Sequence, residues 1–181
     1  NMNSAKPIAL LLIYSFFLLT SVPANNNTAN DHIYKQAQEL LAAMTLDEKV
    51  SLLSGRGSYD TQNIDRLNIP SLQLWDGPNG VRSNNNEPTT AFPVGISMGA
   101  TWNPELIERL GIALGKECRA LGVEVLLGPT VNIIRTPLNG RNFETYSEDP
   151  YFNGVLSVAY VKGLQSEHVG ASVKHFIANN Q

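Results

Sequence analysis

Five charged or imidazole side chains in the 181-residue sequence stand where short apolar runs give way to loops. Each run has the length of a buried strand, and α/β proteins bind ligands at the carboxyl ends of their parallel strands. The sequence therefore predicts a single binding edge. The candidate substrate-binding residues at this edge are Asp76, Arg82, Arg141, Lys174 and His175.

Two ligand classes suit this mixture of side chains. An anionic substrate would pair with Arg82, Arg141 and Lys174, but Asp76 in the same cluster would repel phosphate or carboxylate. Vicinal sugar hydroxyls fit better, because a carboxylate accepts from two of them while Arg, Lys and His donate to others. An aromatic ring, Trp75 or Phe143, suits the apolar face of a sugar, and either ring also suits a core.

Each candidate also has a purely structural interpretation. The run Asp76-Gly77-Pro78 is typical of a turn, Arg141 and Glu144 suit an ion pair, and a His-Phe pair often only packs. Only the shared placement at strand ends favours a binding site over these alternatives.

Alternating strands and helices must position these residues. Apolar runs predict strands at 72–75, 123–127 and 171–173. Asn103 and Pro104 predict a helix start and Gly122 its stop, while Pro150 opens another helix. The predicted apolar stripe of the first helix is Leu106, Ile107, Leu110, Leu114, Cys118 and Leu121, and the second is predicted from Val155, Val158, Ala159, Val161, Lys162 and Leu164. This order predicts an α/β fold with parallel strands, either a barrel or a doubly wound sheet.

Two further helices are predicted before the first strand. Ile33, Ala37, Leu40 and Leu41 recur at helical spacing, and the run from Thr45 to Glu48 has the pattern of a capping box for a helix that stops at Gly55. We expect both helices to pack a core.

The composition excludes some partners and indicates an exported protein. With 13 Lys+Arg against 16 Asp+Glu, the chain lacks the basic footprint of nucleic-acid binding. Residues 1–24 resemble a secretory signal peptide: Lys6 precedes an apolar run at 8–19, with Val22 and Ala24 before the predicted cut. An uncleaved membrane anchor is the alternative. We expect a linker at 25–32, a secreted or periplasmic product, and no membrane association after cleavage.

Five motifs in register then identify a family resemblance. They read WDGPNGVR at 75–82, LGPTVNI at 127–133, GRNFE at 140–144, YSEDP at 146–150 and KHF at 174–176. In this order and spacing they resemble the N-terminal domain of glycoside hydrolase family 3. The resemblance implies that residues 33–181 form the N-terminal part of a (β/α)8 TIM-type barrel. The barrel is incomplete in this chain, because a whole one needs about 250 residues.

The resemblance also implies roles. Asp76, Arg82, Arg141, Lys174 and His175 line the subsite for the terminal sugar, and Glu144 supports the Arg141 loop. The reaction is retaining hydrolysis of terminal β-D-glucosyl residues from oligosaccharides or glycosides, without metal or organic cofactor. It needs a nucleophile and an acid/base about 5 Å apart. Both are expected beyond Gln181, so the isolated fragment should be inactive.

Alternatives remain within and outside this reaction class. The segment after Lys174 and His175 lacks the second histidine and glycines of the β-N-acetylglucosaminidase branch, which favours β-glucosidases and β-xylosidases. A β-xylosidase is therefore one alternative. A non-catalytic sugar-binding remnant is the other, if 181 residues is the natural length.

Overall fold

A computed structural model describes residues 28–83, 86–176 and 179. The predicted signal peptide and the first residues of the predicted linker lie outside this part. The chain divides into two compact units, one ending at Met44 and the other starting at Thr45. The first unit contains helix α1, Thr28–Ala43, which begins before the predicted start at Ile33, so residues 28–32 of the expected linker are helical.

The apolar side chains of α1 do not form the core that we expected. Ile33, Leu40 and Leu41 are all exposed. Their helical spacing is as predicted, but the predicted burial is not found.

The second unit opens with the predicted capping box. Thr45 Oγ1 accepts from the Glu48 N–H at 3.2 Å, and the Glu48 carboxylate accepts from the Thr45 N–H at 2.8 Å. Helix α2, Leu46–Ser51, ends before Gly55 and buries no residue, so the expected core packing is wrong here as well. Arg66 also donates to Glu48, and this bond together with the Thr45 N–H lowers the pKa of Glu48 to about 2.

Two sheets follow. A short antiparallel hairpin joins β1, Gly55–Arg56, to β2, Asp60–Thr61. The second sheet contains β3, Leu74–Asp76, then β4, Val125–Leu127, and β5, Gly170–Ala171, all parallel and in the order β3-β4-β5. The three predicted strands and their parallel direction are confirmed, although each strand is shorter than predicted.

In the described part of the chain, three α-helices lie between the strands of the parallel sheet. They are α3, Gly95–Gly99, then α4, Pro104–Leu121, and α5, Pro150–Ser166. Asn103 caps α4 by accepting from the Leu106 N–H at 3.0 Å, and Gly122 ends it in the left-handed conformation at φ 75°. Both ends of α4 are as predicted. None of the described helices is long and apolar enough to cross a membrane.

The core combines residues of the parallel sheet, α4 and α5. Leu126, Leu114 and Cys118 are fully enclosed, and burial raises the pKa of the Cys118 thiol to about 12. The α4 stripe is confirmed except for Leu106, which is exposed. The α5 prediction is partly wrong, because Val158 and Lys162 are exposed. The buried residues of α5 are Asn153, Leu156, Ser157, Ala159, Tyr160, Gly163 and Leu164.

Close contact between two glycines and the facing helix sets the rotation of α5. A Cβ on Gly163 would lie 2.1 Å from the carbonyl oxygen of Glu108, and one on Gly111 would lie 2.4 Å from that of Tyr160. The backbones of α4 and α5 therefore meet at these two positions. Residues on the opposite side of α5, such as Val158, face outward as a result.

We predict that Gly163→Ala destabilises the protein by about 1–3 kcal/mol, because its methyl group overlaps backbone that cannot move without separating α4 from α5. Gly154→Ala in the same helix is the matched control, since a Cβ at that position would have no neighbour within 4 Å. Alanine favours helix over glycine, so this control should be neutral or stabilising by up to about 1 kcal/mol. Denaturant titration of both variants measures the difference, and equal effects would contradict the close contact.

Candidate functional site

A tight loop follows β3 and starts with its last residue, Asp76. Gly77 and Gly80 adopt φ angles of 150° and 135°, and a Cβ on either would lie within 2.4 Å of a backbone oxygen. The Arg82 N–H donates to the Asp76 carbonyl at 2.8 Å and closes the loop. Glycine is therefore required at both positions for the chain to turn back after the end of β3.

An ion pair joins the ends of the two outer strands. Lys174 Nζ donates to Asp76 Oδ1 at 2.5 Å, and both side chains are partly buried. Strand β4 lies between them, so the two backbones are separated by two strand spacings, roughly 10 Å. The long lysine side chain spans this gap and places an ammonium beside a carboxylate above the centre of the sheet.

A second ion pair lies in the loop between β4 and α5. Glu144 is only 5% exposed, and its carboxylate accepts from Arg141 Nε and, at 3.0 Å, from Thr130 Oγ1. Burial of an unpaired carboxylate would be costly, and here a guanidinium and a hydroxyl compensate it. The guanidinium of Arg141 is half-exposed. Glu144 therefore orients Arg141 while Arg141 remains accessible to a ligand.

His175 lies beside this second ion pair. Its Nε2 is 3.0 Å from Arg141 Nη2. Burial, then the positive charges of Arg141 and Lys174, lower the pKa of His175. The imidazole is therefore neutral at neutral pH, where it acts in hydrogen bonding and not as a charge.

Four of the five predicted site residues are brought together as two contacting pairs. Asp76 contacts Lys174, and Arg141 contacts His175. Arg82 differs: its backbone belongs to the Asp76 loop, but its side chain is exposed and makes no hydrogen bond or ion pair within the described part of the chain. Its role as a ligand for substrate stays a prediction.

The two aromatic candidates have different environments in the structure. Trp75 is 3% exposed and belongs to the core, which is the structural alternative considered for it. Phe143 is half-exposed and remains available at the loop surface. Because Trp75 precedes Asp76 in a pleated strand, the two side chains point to opposite faces of the sheet.

Two polar residues outside the five predicted from the sequence also support the site. Thr130 donates to Glu144, and Asn132 bonds the backbone of His175 through both amide atoms. Both follow the carboxyl end of β4. The rule that pointed to the other five residues, polar side chains after a strand end, would have found these two as well.

The carboxylates of this edge are paired with cations and do not cluster with one another. Asp76 pairs with Lys174, and Glu144 pairs with Arg141. Among the described residues, no three His, Cys, Asp or Glu side chains lie close enough together to hold a metal ion. The arrangement offers hydrogen-bond donors and acceptors to a neutral polar ligand.

We predict that Thr130→Val lowers the free energy of unfolding by about 1–3 kcal/mol, because the buried Glu144 carboxylate then loses its hydroxyl donor. Thr136→Val is the control. It removes a hydroxyl that accepts from the exposed Leu138 N–H at 3.4 Å, so it should change stability by less than about 0.5 kcal/mol. Chemical denaturation compares the two. A Thr130 effect no larger than that of Thr136 would mean that this bond does not stabilise Glu144.

Solved structures resemble this chain closely. The β-glucosidase 3B of Thermotoga neapolitana in complex with glucose matches with a TM-score of 0.75 and 46% identity, over 80% of this chain and 23% of that one. The β-glucosidase of Kluyveromyces marxianus in complex with glucose matches with a TM-score of 0.77 and 42% identity, over 79% and 18%. The α/β architecture described above is accordingly part of a TIM-type barrel.

Sequence relatives point the same way. A β-glucosidase of Rhizobium radiobacter is 52% identical over 145 residues, which cover 78% of this chain and 18% of the relative. The thermostable β-glucosidase B of Acetivibrio thermocellus is 47% identical over 154 residues, covering 80% and 20%. The chain thus spans about a fifth of the length of these relatives.

The family profile covers nearly the whole chain. The profile named Glycosyl hydrolase family 3 N terminal domain matches residues 19–181. This range includes the parallel sheet, its helices and all five predicted site residues. The chain therefore belongs to glycoside hydrolase family 3, as part of its N-terminal domain.

Proposed function

We propose that this chain supplies the sugar-binding subsite of a retaining glycoside hydrolase that removes terminal non-reducing β-D-glucosyl residues. The observation that carries this proposal is the Asp76–Lys174 pair, an acceptor and a donor held together at the binding edge of the sheet. Adjacent hydroxyls of a pyranose need such an acceptor and donor side by side. Two sequence relatives are named β-glucosidases, and two related structures contain glucose. Both facts support a β-glucoside as the substrate.

The two ion pairs would bind the sugar from different sides. Asp76 would accept from the sugar hydroxyls nearest β3, and Lys174 would donate to the same hydroxyls. Arg141 would donate from the opposite loop, with its guanidinium oriented by Glu144. A charged group hydrogen-bonded to a neutral hydroxyl gives a stronger bond than a neutral pair, so preorganised charges favour tight and oriented binding.

The reacting carboxylates would come from outside this chain. Retaining hydrolysis requires two carboxyl groups about 5 Å apart, one as nucleophile and one as acid/base. Asp76 pairs with Lys174 and Glu144 is buried against Arg141, so neither is suited to attack an anomeric carbon. Asp149 caps α5 by accepting from the Phe152 N–H at 2.8 Å, which is a structural role. We infer that the isolated 181 residues bind sugar without hydrolysing it.

Asp76→Asn in the full-length protein should reduce kcat/KM for an aryl β-glucoside by about 10- to 100-fold, because a neutral amide replaces a charged acceptor of sugar hydroxyls. Asp47→Asn, an exposed change in the first turn of α2, is the matched control and should leave kcat/KM unchanged. Steady-state kinetics measure both. Equal values for Asp76→Asn and the unmodified protein would exclude Asp76 from the subsite.

The same assay identifies the sugar. The unmodified full-length protein should hydrolyse the aryl β-glucoside with a higher kcat/KM than the matching β-xyloside or β-N-acetylglucosaminide. A preference for the xyloside would replace the proposed function with that of a β-xylosidase. No hydrolysis of any of the three would leave a sugar-binding protein without catalysis.

We also propose that residues 1–24 direct export and are then removed, which makes the mature protein secreted or periplasmic. The apolar run at 8–19 and the small residues Val22 and Ala24 support this proposal. Intact-mass analysis of the exported protein should show a chain that begins at Asn25. A product that keeps residues 8–19 and sediments with membranes would instead indicate an uncleaved anchor.

A further inference from the structure

The side-chain amide of Asn132 holds the backbone of His175 at both of its polar groups. Asn132 Oδ1 accepts from the His175 N–H at 2.8 Å, and Asn132 Nδ2 donates to the His175 carbonyl at 3.1 Å. Just before this point, the backbone ladder joins Val131 N–H to Lys174 O at 2.8 Å. The side chain of Asn132 thus extends the backbone hydrogen bonding between these two segments by one residue.

These two bonds determine which way the Asn132 amide points. A flipped amide would place Nδ2 against the His175 N–H, two donors together, and Oδ1 against the carbonyl, two acceptors together. The backbone groups cannot exchange their roles. The position of the Asn132 oxygen is therefore set by the backbone and not by the imidazole.

The imidazole of His175 then has one tautomer that satisfies both of its neighbours. Its Nδ1 lies 3.3 Å from Asn132 Oδ1, which can only accept, so Nδ1 must carry the proton to bond there. Its Nε2 lies 3.0 Å from Arg141 Nη2, which can only donate, so Nε2 must be bare. Two independent contacts require the same arrangement.

We propose that Asn132 is a positioning residue that holds His175 as the neutral Nδ1–H tautomer and presents Nε2 as a hydrogen-bond acceptor to Arg141 or to a substrate hydroxyl. The catalytic consequence rests on the proposed function, whereas the tautomer does not. In this role the His175 ring only donates and accepts hydrogen bonds. It transfers no proton, so Nδ1 keeps its proton.

A second asparagine secures the backbone of Asn132. The buried Asn153 of α5 donates through Nδ2 to the carbonyls of Val131 at 2.9 Å and Asn132 at 3.3 Å. Because α5 is packed into the core, this contact gives the amide of Asn132 a rigid base. The rotamer of His175 is then determined by a chain of bonds that leads back to the core.

Charged groups around the ring come from three segments. Arg141 and Glu144 lie in the loop after β4, Lys174 follows β5, and Asp76 ends β3. Burial and the two cations lower the pKa of His175, outweighing the two carboxylates, which raise it. An imidazolium could not accept from Arg141 and would be repelled by it. The acceptor function is therefore present at neutral pH and is lost as the pH falls through the pKa of the folded-state ring.

Neutron crystallography of the full-length protein tests the tautomer directly, because nuclear density shows deuterium positions. We expect deuterium on Nδ1 of His175, directed at Asn132 Oδ1, and none on Nε2. Deuterium on Nε2 in crystals grown at neutral pH would overturn the proposal.

Kinetic variants test the positioning role. Asn132→Ala should lower kcat/KM for the aryl β-glucoside by about 10- to 100-fold, because a loosely held ring misplaces the groups that contact substrate. Asn63→Ala, in a loop near the hairpin, is the control and should retain full activity. Unfolding midpoints of both variants separate a kinetic effect from loss of folded protein.

The pH profile of Asn132→Asp distinguishes a positioning role from a purely structural one, which would leave the profile unchanged. This substitution keeps the size and the Oδ1 acceptor of Asn132, replaces the Nδ2 donor to the His175 carbonyl with an oxygen, and adds a negative charge beside Nδ1, which raises the pKa of His175. The acid limb of the kcat/KM profile should therefore move to higher pH. An unshifted acid limb together with a large loss in Asn132→Ala would overturn the positioning role. Absence of hydrolysis by the unmodified protein would overturn the proposed function and leave the neutron result unaffected.

Discussion

The parallel register of β3, β4 and β5 is the constraint on which the rest of the site depends. Asp76 pairs with Leu127 in this register, and the ladder continues to the bridge between Thr130 and Lys174. A slip of one residue would exchange the two faces of a strand. Trp75 and Leu126, both buried at their partner positions, would then leave the core. Burial of these two side chains therefore keeps the ends of β3 and β4 level, and the pairing of β5 with β4 brings Lys174 to the same edge.

Pairing of opposite charges makes the polar edge compatible with partial burial. Each carboxylate of the site has a cation as its partner, Asp76 with Lys174 and Glu144 with Arg141. The more buried carboxylate, Glu144, has the additional donor Thr130. Full compensation holds these groups in one arrangement before any ligand arrives, which reduces the reorganisation that binding requires.

Helix α5 connects the core to the binding edge. One side of the helix packs against α4 at Gly163, where backbone meets backbone. The fully buried Tyr160 donates at 3.3 Å to the carbonyl of Pro78, in the loop that follows Asp76. Near the start of the same helix, Asn153 holds the segment after β4. A change in helix packing would thus be transmitted to two of the loops that form the site.

Local chemistry in the sequence predicted much of this structure. The capping box at Thr45, the Asn103 cap and the Gly122 stop depend on bonds within a few residues, so pattern alone identified them. The polar residues after each strand could also be predicted, because the short apolar strands contrast with the polar loops that follow them. Five motifs in register were sufficient to identify the family.

Tertiary packing decided what the patterns left open. Val158 shares the apolar character of its helix but faces outward, because the contact at Gly163 sets the rotation of α5. The partnership of Asp76 with Lys174, 98 positions apart, exists only once β4 lies between their strands. The tautomer of His175 depends in the same way on Asn132, 43 positions away. Sequence by itself determined which polar residues follow the strand ends and where the helices begin. Only the fold decided which of them touch, because hydrogen bonds and charges act over a few ångströms of space and not along the chain.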